Sequence, residues 1–148
     1  MIEQNQNEFD GKLLVKRISE GMIPLHNLIG IELQEVKDGF VSFRIPYNEK
    51  LIGDILNKRI HGGVISAAMD AAGGAVALLN FKNFDDQLST INIQVNYLRR
   101  TTQNDLIIEA TNVKNGSRVI FTDMKAYHSG DENNIVATGS AAYSYLSK

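Results

Sequence analysis

Cysteine is absent from the 148-residue chain. That excludes a disulfide scaffold, a thiolate zinc site, an iron–sulfur cluster and a cysteine nucleophile. Tryptophan is absent too, and Phe and Tyr together make 7%, which gives little material for an aromatic cage. Only two prolines occur, Pro24 and Pro46, so long elements run uninterrupted elsewhere. A basic excess is also missing: 15 Lys and Arg stand against 17 Asp and Glu, a formal charge of −2. Nucleic-acid binders normally carry such an excess. The start, Met1-Ile2-Glu3-Gln4-Asn5-Gln6-Asn7-Glu8, is polar and acidic, unlike a signal peptide. One apolar stretch, Val64 to Phe81, has membrane length, but it contains Asp70, Ser66 and two glycines and lacks an aromatic belt. Asp at the centre of a membrane helix is costly. The expectation is a cytoplasmic protein that binds neither nucleic acid nor membrane and buries this helix.

What is present fits one domain. Hydrophobic residues make 43% and charged residues 22%, ordinary globular values, and the length is that of a single domain with a real core. We expect one domain over 1–148, with 1–30 as an N-terminal helical extension. Phe9, Leu13, Leu14, Ile18 and Met22 share a helical face, so a helix is expected from Phe9 to Met22. Pro24 opens a loop or helical turn through Leu28. Ile31–Val36 and Phe40–Ile45 read as a hairpin joined at Lys37-Asp38-Gly39. Tyr47 to Ile60 reads as irregular. Gly62 to Phe81 is the longest helical candidate, apolar nearly all round, hence buried on most sides. Its adjacent Gly73 and Gly74 weaken it, so a curved sheet or a second helix must approach closely. Four strands follow, near Ser89–Leu98, Asp105–Lys114, Arg118–His128 and Ile135–Tyr145. Asn115-Gly116 is the tightest hairpin signal among them. Ile91, Ile93, Val95 and Tyr97 alternate with Asn92, Gln94 and Asn96. The class is α+β: one antiparallel sheet packed on one central helix.

Three features bear on chemistry. His61-Gly62-Gly63 leads into the apolar helix, and the first amides of a helix are unpaired and at its positive end. They suit an oxyanion or a phosphate, and equally a plain turn. Asp70 is the sole charged residue between His61 and Lys82. A carboxylate in an apolar helix is paired, hydrogen-bonded to backbone, or functional. Nine positions separate His61 from Asp70, roughly 13 Å of helical rise. If both act on one substrate, a second copy of the helix must bring its Asp70 to the first copy's His61 and Gly63. Thr90 opens the following strand and can hold a water or the carboxylate. Arg99, Arg100, Lys114, Ser117 and Arg118 can meet phosphates at a cleft rim or form a solvated edge. Asp54 precedes the helix and can line the same site. Asp85-Asp86 reads as a solvated loop pair. No phosphate-loop, dinucleotide or nucleophile-elbow pattern occurs, and His26, His61 and His128 lack metal-ligand spacing.

Leu51-Ile52-Gly53-Asp54, His61-Gly62-Gly63-Val64-Ile65-Ser66 and Asp70 together resemble the PaaI-like group of hotdog-fold thioesterases. Ser89-Thr90-Ile91-Asn92-Ile93, Tyr97-Leu98-Arg99 and Asn115-Gly116-Ser117-Arg118 resemble that group's downstream pattern, so the likeness runs from about Ile31 to Tyr145. The resemblance implies a hotdog fold, a sheet wrapped around the central helix, paired as a dimer or a dimer of dimers. It implies hydrolysis of acyl-CoA thioesters with no cofactor beyond the coenzyme A of the substrate. Asp70 would be general base or nucleophile, the Gly63 amide would polarise the carbonyl, His61 would position the thioester, and Thr90 would orient the water or Asp70. Gly62, Val64, Asn115, Gly116 and Ser117 would contact substrate, and Arg99, Arg100 and Arg118 its phosphates. Two positions depart from the pattern. Asp54 stands where asparagine is common, and an ionised carboxylate cannot donate to a carbonyl; Asn57 lies nearby as a substitute. Arg99-Arg100 stands where arginine-proline is usual.

Two other functions stay open at this level. A non-catalytic acyl-CoA or acyl-ligand binding hotdog protein is favoured by Asp54. A hotdog dehydratase or hydratase would need a differently spaced histidine with an acidic partner, which this chain lacks.

Overall fold

A computed structural model describes residues 9–148, and the polar segment 1–8 lies outside the described residues. Asp10 caps α1 (Gly11–Ser19) by accepting from the Lys12 amide at 2.9 Å. The helix is shorter than Phe9–Met22: it begins at this cap and stops before Gly21, whose φ is 97°. Pro24 occupies the first turn of α2 (Pro24–Ile29), and left-handed Gly30 ends it. The expected hairpin follows as β1 (Glu32–Lys37) and β2 (Phe40–Ile45), turning through Gly39 at φ 67°. The stretch Tyr47 to Ile60 is more ordered than its composition implies. It holds a 3-10 turn, Glu49–Leu51, and a two-stranded ribbon of β3 (Ile52–Asp54) and β4 (Arg59–Ile60).

The central helix α3 spans Gly62–Leu78. It ends before Phe81 because the Asn80 side chain caps the Val76 and Ala77 carbonyls at 3.4 and 3.2 Å. Then come β5 (Gln87–Tyr97), β6 (Leu106–Asn115), β7 (Val119–His128) and β8 (Ile135–Leu146). The six long strands form one antiparallel sheet in the order β1-β2-β6-β7-β8-β5. Thus β5 does not pair with β6, its successor. It crosses the end of the sheet and forms an edge beside β8. The sheet curls around α3, whose Ile65, Ala68, Met69, Ala72 and Val76 are buried against it. Burial is continuous from α3 to Val41, Phe43, Ile108 and Ile120 on the sheet's inner face.

The β6–β7 turn is displaced from the Asn115-Gly116 signal. Asn115 still pairs with Ile120, the Gly116 amide donates to the Val119 carbonyl at 2.9 Å, and the tip is Ser117-Arg118.

Asp86 corrects a second expectation. Asp85 is exposed, but Asp86 is buried and anchors the chain end. Its carboxylate accepts from the Lys82, Asn83 and Lys148 amides and from the Tyr145 hydroxyl, at 2.8 to 3.2 Å. The Lys82 amide leads these donors in holding Asp86 far below the usual carboxylate range. A carboxylate depressed on folding stabilises the fold above its unfolded pKa of about 3.9 and loses that contribution as pH falls toward the folded value. Melting temperature should therefore fall from pH 4 to pH 2. In Asp86→Asn it should be lower at pH 7 and decline less over that acid interval. Parallel pH profiles for the two proteins would contradict this.

Candidate functional site

Asp70 lies midway along α3, where the helix passes β5 and β8. Two hydroxyls hold one of its oxygens. Thr90 Oγ1 donates to Asp70 Oδ1 at 2.9 Å, and the Tyr143 hydroxyl donates to the same Oδ1 at 3.1 Å and to the Asp70 carbonyl at 3.0 Å. Burial, and then the adjacent carboxylate, push the Tyr143 phenol up from its usual pKa, so it remains a donor at any working pH. Thr90 reaches α3 because β5 carries a bulge. Thr90 pairs with Tyr143, Asn92 pairs with Ala142, and Ile91 is the extra residue. The bulge keeps both Thr90 and Ile93 on the helix side, while Ile91 is exposed. Plain alternation would put Thr90 on the face opposite Ile93.

Asp70, Thr90 and Tyr143 line a cavity of ≈ 360 Å³ beneath α1 and α2, whose other lining is mainly aliphatic. His26 from α2 joins this lining, and burial lowers its pKa. The sequence reading missed Tyr143, His26 and the two-helix roof. The alternation of Ala141, Tyr143 and Tyr145 marks an inward face, but nothing local says what Tyr143 touches.

His61 sits apart from Asp70, at the N-terminus of α3. It is the helix cap, and its Nδ1 accepts from the Gly63 amide at 2.8 Å. An accepting Nδ1 leaves the ring proton on Nε2. The Gly63 amide is thus engaged by His61 in this state. The Val64 amide closes onto the His61 carbonyl at 3.0 Å, and Val64 is partly buried on the core. The Gly62 carbonyl accepts from the Tyr97 hydroxyl at 2.7 Å and from Ser66 Oγ at 3.0 Å.

A second cavity of ≈ 380 Å³ opens here, lined by His61, Gly62, Asp54, Arg59, Arg99 and Arg100 among others. Asp54 and His61 thus line the same cavity. Asn57 does not supply a free amide: its Nδ2 and its backbone N–H both donate to Asp54, at 2.9 and 3.1 Å. These bonds, Asn57 Nδ2 first, hold Asp54 below the usual carboxylate range, and Arg59 lies 3.5 Å away. The pair shapes the β3–β4 turn. Arg99 donates to the Ile135 carbonyl at 2.8 Å and lines the cavity with Arg100.

Asn115, Gly116, Ser117 and Arg118 are not brought to either cavity. They lie beyond the C-terminal end of α3, where Asn115 lines a separate hollow with Leu79 and Asn80. The length of α3, 17 residues, puts that end about 25 Å from His61.

The sequence profile of the Thioesterase superfamily matches residues 57–134, from the β3–β4 turn to the start of β8. The chain belongs to this superfamily. It is 36% identical over 102 residues to a candidate esterase of Halobacterium salinarum, covering 64% of each chain. It is 32% identical over 105 residues to a candidate esterase of Saccharolobus solfataricus, covering 70% of this chain and 66% of that one. The chain thus spans about two thirds of the length of these relatives. A medium/long-chain acyl-CoA thioesterase of Salmonella typhimurium is 22% identical over 133 residues, covering 82% of this chain and 84% of that one. Among solved structures, a thioesterase family protein from Silicibacter pomeroyi superposes with a TM-score of 0.82 at 22% identity, covering 93% of this chain and 99% of that chain. The fold is the hotdog fold. Among the described residues, no helix is long and apolar enough to cross a membrane.

Proposed function

We propose that this protein hydrolyses acyl-CoA thioesters to a carboxylic acid and free coenzyme A. The observation that carries this reading is the Asp70 carboxylate, presented to an apolar cavity with Oδ1 fixed by Thr90 and Tyr143. Both hydroxyls take the same oxygen, so Oδ2 is left to face the substrate. There it acts as base toward an attacking water or as nucleophile on the thioester carbon. The carbonyl oxygen is polarised at the N-terminus of α3. The Gly63 amide serves there once the His61 ring gives way, and His61 Nε2–H positions the thioester. Arg99 and Arg100, with Arg59 beside them, meet the phosphates.

Because His61 and Asp70 line different cavities, each complete site takes Asp70 from one protomer and the α3 N-terminus from another. A two-fold dimer, alone or doubled, supplies two such sites. The turn Asn115–Arg118 then has a role only as a rim contributed across subunits. The supporting feature for pairing is β5, an edge strand whose Ile91 and Tyr97 are exposed, as is Leu98 just past its end.

Thiol release from a panel of acyl-CoAs tests the activity. Hybrid dimers of Asp70→Asn and His61→Ala chains test the sharing. Each variant alone should be inactive, and mixing should restore up to one intact site per hybrid. Confirmed hybrids without recovery would refute the shared site. A second reading, binding without turnover, draws on the engaged Gly63 amide and on Asp54. Tight acyl-CoA binding with no thiol release would favour it.

A further inference from the structure

The cavity beside Asp70 has a floor and a roof of different origin. The floor is a face of α3 bearing Ala67, Ala71, Gly74 and Leu78, spaced four, three and four residues apart. The roof is Val15, Ile18, Ile23 and Leu25 from α1, α2 and the bend between them. Those roof residues precede residue 57 and so lie outside the segment that matches the superfamily profile. One wall of the cavity is therefore built by the N-terminal segment and the other by α3.

Gly74 needs an explanation that Gly73 does not. A Cβ on Gly73 would collide with the sheet, whereas a Cβ on Gly74 would meet nothing nearer than Tyr143 Cε1 at 3.7 Å, an ordinary contact. Gly74 is not among the left-handed glycines. A mid-helix glycine weakens the helix relative to alanine, and within the protomer neither packing nor backbone geometry requires it. What it provides is space in the cavity.

We propose that this cavity holds the acyl chain of the thioester, with Gly74 in the floor and Ile18 in the roof setting its limit. This rests on the hydrolase reading of Asp70. At about 30 Å³ per water-sized group, ≈ 360 Å³ holds about a dozen methylenes when full, so the best substrates are straight chains of about 8–12 carbons. Among the described residues no Lys or Arg lines the cavity, so an acyl chain ending in a second carboxylate is rejected.

The test is kcat/KM for saturated acyl-CoAs from two to sixteen carbons, with wild type, Gly74→Leu and Ile18→Trp. Wild-type values should rise about tenfold per two added carbons until the cavity fills, then level or fall. Each variant, filling the space from an opposite wall, should lower the decanoyl-to-butyryl ratio at least tenfold. Hydrolysis with a flat profile, or with that ratio unchanged in both variants, overturns the proposal while leaving the hydrolase reading intact. If wild type hydrolyses nothing, binding of a thioether analogue of decanoyl-CoA separates the two. Binding weakened by Gly74→Leu keeps the pocket and discards hydrolysis. Absence of binding discards the pocket too.

Discussion

Asp70→Asn is expected to lower kcat/KM for every acyl-CoA that wild type hydrolyses by about 10²–10⁴-fold, the range for loss of a positioned base, while the protein stays folded. Asparagine keeps an oxygen in the place of Oδ1, so the Thr90 and Tyr143 hydroxyls retain their acceptor. What is lost is the charge and the proton-accepting Oδ2. The fold therefore reports little and the rate reports everything, which makes this variant cleaner than Asp70→Ala. Thr90→Val and Tyr143→Phe should fall between it and wild type. Each removes one hydrogen bond to the carboxylate, about 1.5–3 kcal/mol or roughly 10- to 100-fold in rate if the bond is fully used in the transition state. They position Asp70 and do not replace it. Thiol release under subsaturating substrate, with circular dichroism as the fold control, measures all three. An Asp70→Asn protein retaining a tenth of wild-type kcat/KM would remove Asp70 from the chemistry and leave it as a hydrogen-bond anchor for the sheet.

The elements that local rules govern were legible in the sequence, and those that depend on where the sheet closes were not. The start of α3 follows from His61-Gly62-Gly63, and its buried character from the near absence of charge. Its last turn did not follow, because an Asn80 side chain competing for carbonyls looks in sequence like one more helical residue. The β6–β7 turn was found but misplaced. Gly116 is there because a Cβ would lie 2.5 Å from the Val119 carbonyl oxygen, a close-approach demand and not the left-handed backbone that an Asn-Gly turn implies. In the site, Asp70 stood out as a lone carboxylate in an apolar run. Thr90 is legible as a hydroxyl at the strand start and from the resemblance, but the alternation through Ile91, Ile93 and Val95 points it away from the helix. Only the bulge at Ile91 turns it inward, and a bulge leaves no mark in composition. The burial of Asp86 is hidden for a related reason: beside the local Lys82 and Asn83 amides, its partners are the distant Tyr145 and Lys148, which sequence spacing does not bring near.

Gly73→Ala is expected to destabilise the protein by about 2 kcal/mol and to slow it. Alanine gains about 1 kcal/mol of helix propensity over glycine, so the packing cost must exceed that gain. It does because the added Cβ would lie 2.5 Å from the Tyr143 hydroxyl, 2.8 Å from Thr122 Oγ1 and 3.2 Å from Met124 Sδ. Thr122 and Tyr143 are almost fully buried, so neither hydroxyl can swing out to solvent. Overpacking of this kind costs about 1–3 kcal/mol, and two of these contacts are closer than side chains adopt, which puts the site at or above the upper end. The structure yields by moving the Tyr143 hydroxyl, and that hydroxyl is a donor to Asp70. Stability and kcat should therefore fall together in Gly73→Ala, with a melting temperature lowered by about 5 °C for a loss of this size. Gly74→Ala, one residue on, has room for its methyl group and should match or exceed wild-type stability by up to about 1 kcal/mol. Thermal melts and butyryl-CoA turnover on the two variants decide the matter. A Gly73→Ala protein as stable and as fast as wild type would mean that the sheet gives way at no cost, and that close approach to the sheet is not what this glycine is for.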